Sequence, residues 1–194
     1  MNILEITCQE KEDLAVWEPY PPMPQAVKLL DGTLVTVRPI RPDDAPRLQA
    51  LFGQLSPSTI YMRFLGYRKE LADEQAARLA NVDYQKHMAL VATRNREDIV
   101  AVARYGVTRP NEPDHAEVAI VVEDQYQGRG LGALLLRWLL AYARTHDIRT
   151  IHAMVHPNNT QILRFIEHSG LPAEKKLEGG AWEIQVKLEP EPAS

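Results

Sequence analysis

Three glycines at alternate positions, 128, 130 and 132, interrupt the chain between an apolar strand pattern and a helix pattern. Glycine lets the backbone turn tightly with its amides pointing inward, and the first turn of a helix adds unpaired N–H groups and a partial positive charge. These features favour a phosphate or pyrophosphate ligand. The alternative is a glycine-rich turn that only joins the strand to the helix.

Two familiar phosphate-binding patterns are excluded by their spacing. A dinucleotide-binding fold has G-x-G-x-x-G in its first βαβ unit, with an acidic residue about 20 residues further on. A P-loop ends in G-K-[ST]. Residues 127–132 satisfy neither pattern. The stretch therefore predicts a phosphate-binding turn of another kind.

The rest of the chain alternates between strand and helix periodicity. Asp31-Gly32 suits a two-residue type I′ turn and predicts a β-hairpin, and Asp43 or Asp44 is expected to cap the helix that follows. Further helices are predicted after Ser58, over 73–80, from the glycine stretch to about 146 and over 159–169, and strands over 87–93, 98–107, 115–123, 150–156, 171–176 and 182–188. This layout predicts an α/β (α+β) fold with a mixed central sheet of six to seven strands flanked by helices.

The length leaves room for one full domain. The chain has 194 residues, and a domain takes about 100–200. Residues 1–25 contain prolines and predict an extended arm, which Trp17, Tyr20 and Met23 are expected to pack against the domain. The domain itself is assigned to residues 26–189, and residues 190–194 to a loose tail.

Charge and hydropathy limit the partners. With 22 basic and 26 acidic residues the net charge is −4, which does not favour nucleic acid. No run approaches the roughly 18–20 apolar residues of a membrane span, and residues 1–24 are acidic where a signal peptide is basic and then apolar. We therefore expect a cytoplasmic protein with no membrane partner. The single cysteine, Cys8, predicts a free thiol and no zinc site.

Around the glycine stretch the chain resembles the GNAT (GCN5-related N-acetyltransferase) superfamily. The coenzyme A motif of that family, Gln/Arg-x-x-Gly-x-Gly/Ala after a long strand, is filled by Gln127, Gly130 and Gly132. Asn159 stands eleven residues before a glycine, as in a second family pattern, although Leu171 follows where phenylalanine is usual. The resemblance implies the GNAT fold and an acetyltransferase that uses acetyl-CoA as co-substrate and no metal.

Within the superfamily the chain is most similar to the acetyltransferase domain of bacterial Pat-type protein lysine acetyltransferases. The matching segments are residues 37–44, Leu55-Ser56 with Tyr61-x-Arg63-Phe64, Asp83-Tyr84, 89–92 and 116–119, within a resemblance that covers roughly 27–188. Those relatives commonly carry an acyl-CoA-synthetase-like part or a cyclic-nucleotide domain. The 194 residues show neither, so we expect no regulation through such parts.

The resemblance implies direct transfer to an amine, with Glu117 as general base. An acceptor lysine has a pKa of about 10.4, so it must lose a proton before it attacks a thioester. Glu117 matches the glutamate that is the proposed base in Pat-like domains. We expect it to be partly buried among apolar neighbours, because burial raises the pKa of a carboxyl group. The alternatives are an ion-paired or solvated Glu117, and Glu123 as the base, although Glu123 better fits a solvated strand end.

The resemblance also implies how the coenzyme is held. The pyrophosphate would contact backbone amides of Gln127, Gly128, Arg129, Gly130, Leu131, Gly132 and Ala133. Val121 and Val122 would flank the thioester, unless they only belong to the core. Asn159 would hydrogen-bond the pantetheine arm, unless it caps its own helix. The Arg129 side chain would reach a phosphate, unless it faces solvent.

Other side chains carry weaker hypotheses. Many relatives have a tyrosine seven residues after the asparagine, to protonate the departing thiolate; Ile166 stands there in this chain. That difference argues against the small-amine acetyltransferases that use the tyrosine. His152 and His156 are expected on one face of a strand, with a metal site or a second proton acceptor at His156 as minor alternatives. Tyr61 and Arg63 would shape the acceptor groove, unless Tyr61 only packs in the core.

Three functions follow, in order of preference. The first is acetyl transfer to a protein lysine, with an AMP-forming acyl-CoA synthetase as the preferred acceptor protein. The second is acetylation of a small amine, which a deep acidic acceptor pocket would favour. The third is a non-catalytic module that senses acetyl-CoA. The sequence leaves a homodimer open.

Overall fold

The computed structural model describes residues 3–5, 20–21, 23–95 and 97–188. Within these residues it contains one nine-stranded sheet in the order β1-β2-β3-β4-β5-β6-β7-β9-β8. The strands are β1 (Ile3–Glu5), β2 (Gln25–Lys28), β3 (Leu34–Pro39), β4 (His87–Arg94), β5 (Asp98–Gly106), β6 (His115–Val122), β7 (Thr150–Val155), β8 (Ala173–Glu178) and β9 (Ala181–Lys187). The pairs β1–β2 and β6–β7 are parallel, and the other neighbours are antiparallel.

Helices cover both faces of the sheet. They are α1 (Ala45–Gln54), α2 (Pro57–Phe64), α3 (Asp73–Ala80), α4 (Leu131–Thr145) and α5 (Thr160–Glu167), with short 3₁₀ turns at Pro42–Asp44 and Asp124–Tyr126. The predicted mixed α/β architecture is confirmed. The predicted count of six to seven strands was too low, because the sheet has nine within the described residues, and one of them, β1, lies inside the segment expected to be an extended arm.

The central strands are apolar on both faces because each face has its own core. Successive side chains of a strand point to opposite faces. Leu90 of β4 packs in one cluster with Trp138 of α4. Its neighbour Val91 packs in the other cluster with Leu51 of α1. Two covered faces explain why β4 and β5 read as nearly continuous apolar runs rather than as alternating ones.

The hairpin between β2 and β3 forms as predicted, but its turn differs. A type I′ turn needs a positive φ at both central residues. Only Gly32 has one, at 86°, and Asp31 does not. The Gly32 N–H donates to the Leu29 carbonyl at 2.9 Å, and the Leu29 N–H donates to the Thr33 carbonyl at 2.8 Å. The prediction of a two-residue type I′ turn was wrong, because the loop is longer and a single glycine closes it.

Asp44 precedes α1, but its carboxylate makes no capping hydrogen bond. It accepts two hydrogen bonds from the Arg38 guanidinium, at 2.6 and 2.7 Å, and one from the Arg41 N–H at 2.8 Å. Burial alone would raise the pKa of Asp44, but the hydrogen bonds from Arg38 and Arg41 together lower it. The buried pair fixes the end of β3 against the start of α1.

The N-terminal segment contacts the domain where it is described. β1 pairs with β2 through three residues, and the Tyr20 ring lies 4.9 Å from the ring of Tyr142. Trp17 and the tail 190–194 lie outside the described residues, so the boundaries of the arm, the domain and the tail stay predictions. None of the helices within the described ranges is long and apolar enough to cross a membrane.

Candidate active site

The sheet opens at its centre, between β6 and β7. These parallel strands pair only through 115–117 and 150–152, so their partnership ends at Glu117 and His152. A cavity of about 950 Å³ occupies the opening and is lined from both faces of the sheet. Its volume lies within the range of small-molecule sites, about 300–1,000 Å³. Residues of the glycine stretch, of β6 and of α2 all belong to its lining, among them Gln127, Glu117 and Arg63.

The glycine stretch forms one end of the cavity and leads into α4. Gly128 and Gly130 have φ values of 71° and 85°, a backbone region that side chains other than glycine enter only at a cost. Gly130 is the N-cap of α4 and provides no side-chain cap. The first amides of α4 therefore have no side-chain acceptor from their cap residue, which is the arrangement that suits an anion.

The Gln127 side chain positions this loop. Its Nε2 donates to the carbonyl of Val122 at 3.0 Å and to Oγ1 of Thr59 at 3.2 Å. Gln127 thus ties the glycine stretch to the end of β6 and to α2. The Nε2 of its side chain is therefore engaged by protein atoms.

The Arg129 side chain pairs with residues of the β2–β3 hairpin. Its Nη1 donates to the Asp31 carboxylate at 2.5 Å and to Thr33 Oγ1 at 3.2 Å, and its carbonyl accepts from the Leu30 N–H at 3.3 Å. Both sequence alternatives for its side chain missed this contact. The pairing holds the glycine stretch against the β2–β3 hairpin.

The remaining residues expected near the coenzyme divide into two groups. Val121, Val122 and Asn159 line the cavity, and the Asn159 Oδ1 also accepts from the Ile162 N–H at 3.4 Å, so it caps α5 as well. Leu131 is only 1% exposed and belongs to the α4 core. Ala133 follows in the same first helical turn. Leu131 and Ala133 can therefore contribute backbone only.

Glu117 stands in the cavity wall at the point where β6 and β7 separate. Thr108 Oγ1 donates to its Oε1 at 3.1 Å. The side chain is exposed, so the expected partial burial among apolar neighbours was wrong for the chain by itself. The reason is its position: it projects into the opening of the sheet rather than against a covered part of it.

Glu123 was expected to be solvated, and that was wrong. Glu123 is only 7% exposed. Its backbone N–H donates to the Val100 carbonyl at 2.8 Å, and the Gln125 Nε2 donates to its Oε1. The chain turns into the 3₁₀ segment at this point, which folds Gln125 back over the carboxylate. Glu123 does not line the cavity.

The two histidines singled out from the sequence have separate partners. His152 Nε2 lies 2.9 Å from His115 Nδ1, whereas the ring of His156 packs edge-on against Tyr61 at 5.4 Å. Burial lowers the pKa of His152, and the charges of His115 and Arg109 lower it further. The His115–His152 contact was not foreseen. Within the described residues no group of three or more His, Cys, Asp or Glu could hold a metal ion, and metal-free catalysis stays a prediction.

Arginines line the end of the cavity near α2. Arg63 of α2 belongs to the wall together with Arg68 and Arg104, whose charges act on it, and Arg109 lines the cavity as well. Burial, with Arg104 and Arg68 nearby, lowers the pKa of Arg63 to about 10. Burial and Arg78 lower that of Arg104 to about 10. Arg63 could be singled out from the sequence, and Arg104 could have been recognised as a lone charge within the apolar run of β5.

Comparison with known proteins matches this fold and site to one family. The model of the acetyltransferase (GNAT) domain family matches residues 35–172. The chain belongs to the GNAT family and is an acetyltransferase of that family.

Two relatives are similar in sequence. The acetyltransferase PA5475 of Pseudomonas aeruginosa is 35% identical over 127 residues, which are 64% of this chain and 67% of that protein. The acetyltransferase Pat of Mycolicibacterium smegmatis is 30% identical over 148 residues, or 76% of this chain. That match spans only 44% of the Mycolicibacterium protein, so the likeness concerns one part of it.

Solved structures agree on the fold. The GNAT domain of S. lividans PAT has a TM-score of 0.75 and 32% identity, covering 84% of this chain and 96% of that one. The acetyltransferase yncA of Salmonella typhimurium, solved with its cofactor acetyl-CoA, has a TM-score of 0.65 at 17% identity, covering 82% and 96%. The second likeness concerns the fold alone.

Proposed function

We propose that this chain transfers an acetyl group from acetyl-CoA to a lysine side chain of a protein, with Glu117 as the general base. The observation that carries the proposal is the position of Glu117. It lines the cavity where β6 and β7 part, and the same cavity is lined by residues of the glycine stretch and of α2. A base at this point can meet an amine that enters from the α2 side.

The residues at the other end fit a coenzyme A phosphate group. The left-handed backbone at Gly128 and Gly130, followed by a helix without a side-chain cap, suits a pyrophosphate. Val121 and Val122 offer an apolar wall for a thioester, and Asn159 a polar group for the pantetheine arm. When bound, acetyl-CoA supplies the activated acetyl group.

The reaction requires the chain to remove a proton from the acceptor amine. At neutral pH the acceptor lysine is an ammonium, since its pKa is about 10.4. Glu117 accepts one of its protons, and the freed amine nitrogen bonds to the acetyl carbon as the carbon–sulfur bond breaks. The sulfur leaves as a thiolate, whose conjugate acid has a pKa of about 8.5, so no dedicated acid is required. Ile166 is buried where other relatives have a tyrosine.

The choice of a protein acceptor is supported by the relatives and by charge. The GNAT domain of S. lividans PAT and the Pat acetyltransferase are similar to this chain over most of its length. An AMP-forming acyl-CoA synthetase is the acceptor that we propose. A polyamine or aminoglycoside is the second candidate, but the arginines around the acceptor end would repel it. Membership of an acetyltransferase family argues against a module that only senses acetyl-CoA. The proposal includes a cytoplasmic location and a homodimer.

Intact-protein mass spectrometry of an AMP-forming acetyl-CoA synthetase, incubated with acetyl-CoA, tests the proposal. Wild-type chain, Glu117→Gln and the surface control Glu178→Gln are compared. We expect one added acetyl group with wild type and with Glu178→Gln, and none with Glu117→Gln. Acetylation of small amines alone would move the function to the second candidate. Full activity of Glu117→Gln would remove the assigned base.

A further inference from the structure

The charges that line the cavity are unevenly distributed. Although the chain carries a net charge of −4, the lining contains four arginines against two carboxylates. The arginines are Arg63, Arg68, Arg104 and Arg109, and the carboxylates are Glu117 and Glu183. Arginines therefore outnumber carboxylates in the cavity lining of an acidic protein.

Two of these arginines have no carboxylate partner within residues 23–95 and 97–188. The Arg63 guanidinium lies over the Phe64 ring, 4.8 Å from its centre. Arg104 Nη1 donates to the Leu79 carbonyl at 3.3 Å. Arg38 offers a contrast, since its guanidinium is matched by two hydrogen bonds to Asp44. A shielded arginine of this kind is normally paired, because desolvating an isolated charge is costly.

The pair can be placed relative to the glycine stretch and to Glu117. Arg63 follows Thr59 by four residues in α2, which is one helical turn or about 6 Å. Thr59 itself contacts Gln127 at the loop. Arg104 pairs with Ala119 in the β5–β6 ladder, two positions from Glu117 on the same face. Arg104 thus shares a face of the sheet with the base, and Arg63 lies close enough to Arg104 for their charges to interact.

We propose that Arg63 and Arg104 form an anion site that binds a carboxylate of the acceptor, so that the preferred lysine lies beside an acidic residue. This inference rests on the proposed function and names its substrate class. A carboxylate relieves the repulsion between the two guanidinium groups and matches their planar donors. It also offsets the cost of bringing an ammonium into a positive region, which a polyamine would meet in full.

Peptide acetylation tests the site. Each peptide contains one lysine, with an aspartate placed one or two residues before or after it, and each has an asparagine counterpart that differs only in charge. For wild type we expect kcat/KM to favour at least one aspartate peptide by about tenfold, which corresponds to about 1.4 kcal/mol. In Arg63→Leu and Arg104→Leu that preference should fall below about twofold. Arg149→Gln, an exposed arginine outside the cavity, should keep it.

Further measurements keep every outcome decisive. Thermal melts check that the leucine variants fold. If either does not fold, Arg63→Lys is measured in its place. Arg63→Lys should lose most of the preference for aspartate peptides, because a lysine cannot bind a carboxylate bidentately. Equal rates on all aspartate and asparagine pairs, or a preference that survives both leucine variants, would overturn the anion site. If wild type acetylates no peptide and no synthetase, the proposed function fails. Calorimetry with CoA bound then compares Nα-acetyl-lysine with Nα-acetyl-lysinamide: tighter binding of the carboxylate supports the anion site, and equal affinity overturns it.

Discussion

The carboxylate of Asp124 accepts hydrogen bonds from the N–H of Ser56 at 2.9 Å and from its hydroxyl at 2.6 Å. A third hydrogen bond comes from Thr59 Oγ1 at 2.7 Å. Asp124 lies in the 3₁₀ turn before the glycine stretch, and Ser56 is the N-cap of α2. Its negative charge is favourable at a helix N-terminus. One side chain thus couples the coenzyme end of the cavity to the helix at the acceptor end.

Asp124→Ala should damage both stability and acceptor binding. The lost hydrogen bonds should lower the free energy of unfolding by about 1–2 kcal/mol. Because α2 carries Arg63, a displaced helix should raise KM for the acceptor by at least about threefold. Urea denaturation and steady-state kinetics measure the two effects. Asp98→Ala, which removes only an exposed ion pair with Arg94, is the control and should change neither by much. An unchanged acceptor KM in Asp124→Ala would show that α2 is held by its other contacts.

Thr108 is a positioning residue for the base. Its hydroxyl donates to Glu117 Oε1 at 3.1 Å, and a hydrogen bond of this kind contributes about 1 kcal/mol, or about fivefold in rate. Thr108→Val should therefore lower kcat by about threefold to tenfold and leave KM for acetyl-CoA within about twofold. Thr108→Ser keeps the hydroxyl and should recover most of kcat. If Thr108→Ser has a kcat as low as that of Thr108→Val, the hydroxyl group does not position Glu117.

Features of the site that depend on local backbone could be predicted from the sequence. The alternating glycines predict a tight turn before α4, and Gly128 and Gly130 have the positive φ values that only glycine adopts easily. The helix-capping alternative for Asn159 is also local, since the Ile162 N–H that donates to its side chain is only three residues away. The nearly continuous apolar runs of β4 and β5 indicate strands of a sheet that is covered on both faces. Each of these signals lies within a few residues of the structure that it predicts.

Contacts between distant segments could not be predicted from spacing. Arg129 pairs with Asp31, which lies 98 positions away in the sequence. The sequence of neither segment indicates that the two residues are in contact. Glu123 reads as the polar end of a strand, yet the following turn buries it. Glu117 reads as a carboxylate among apolar neighbours, yet the separation of β6 from β7 leaves it exposed. In each case the tertiary structure, and not the local sequence pattern, determines the environment of the side chain.

Two glycines in helical contexts should respond in opposite directions to alanine. Gly130 has φ 85°, where a side chain costs about 1–2 kcal/mol, so Gly130→Ala should lower stability by that amount and raise KM for acetyl-CoA. Gly53 lies inside α1 with open space around its Cα. Gly53→Ala should raise the free energy of unfolding by about 0.5–1 kcal/mol and leave KM unchanged. A stability loss in both variants would contradict the backbone argument.

The His115–His152 contact should make stability depend on pH near neutrality. The pKa of His152 is below its ordinary value of 6.5, first because of burial and then because of His115 and Arg109, with Glu183 and Glu112 opposing. The unfolded chain therefore binds more protons than the folded one, and stability rises with pH. The contribution is fully present above about pH 6.5 and is lost as the pH falls towards the pKa of the folded state.

His152→Gln removes the titrating group while keeping a polar side chain opposite His115. Urea midpoints at pH 7.5 and 5.5 should therefore differ less in this variant than in wild type. His168→Gln, an exposed histidine at the end of α5, is the control and should keep the wild-type difference. If His152→Gln loses as much stability on acidification as wild type, another group carries the pH dependence and the His115–His152 contact is not its source.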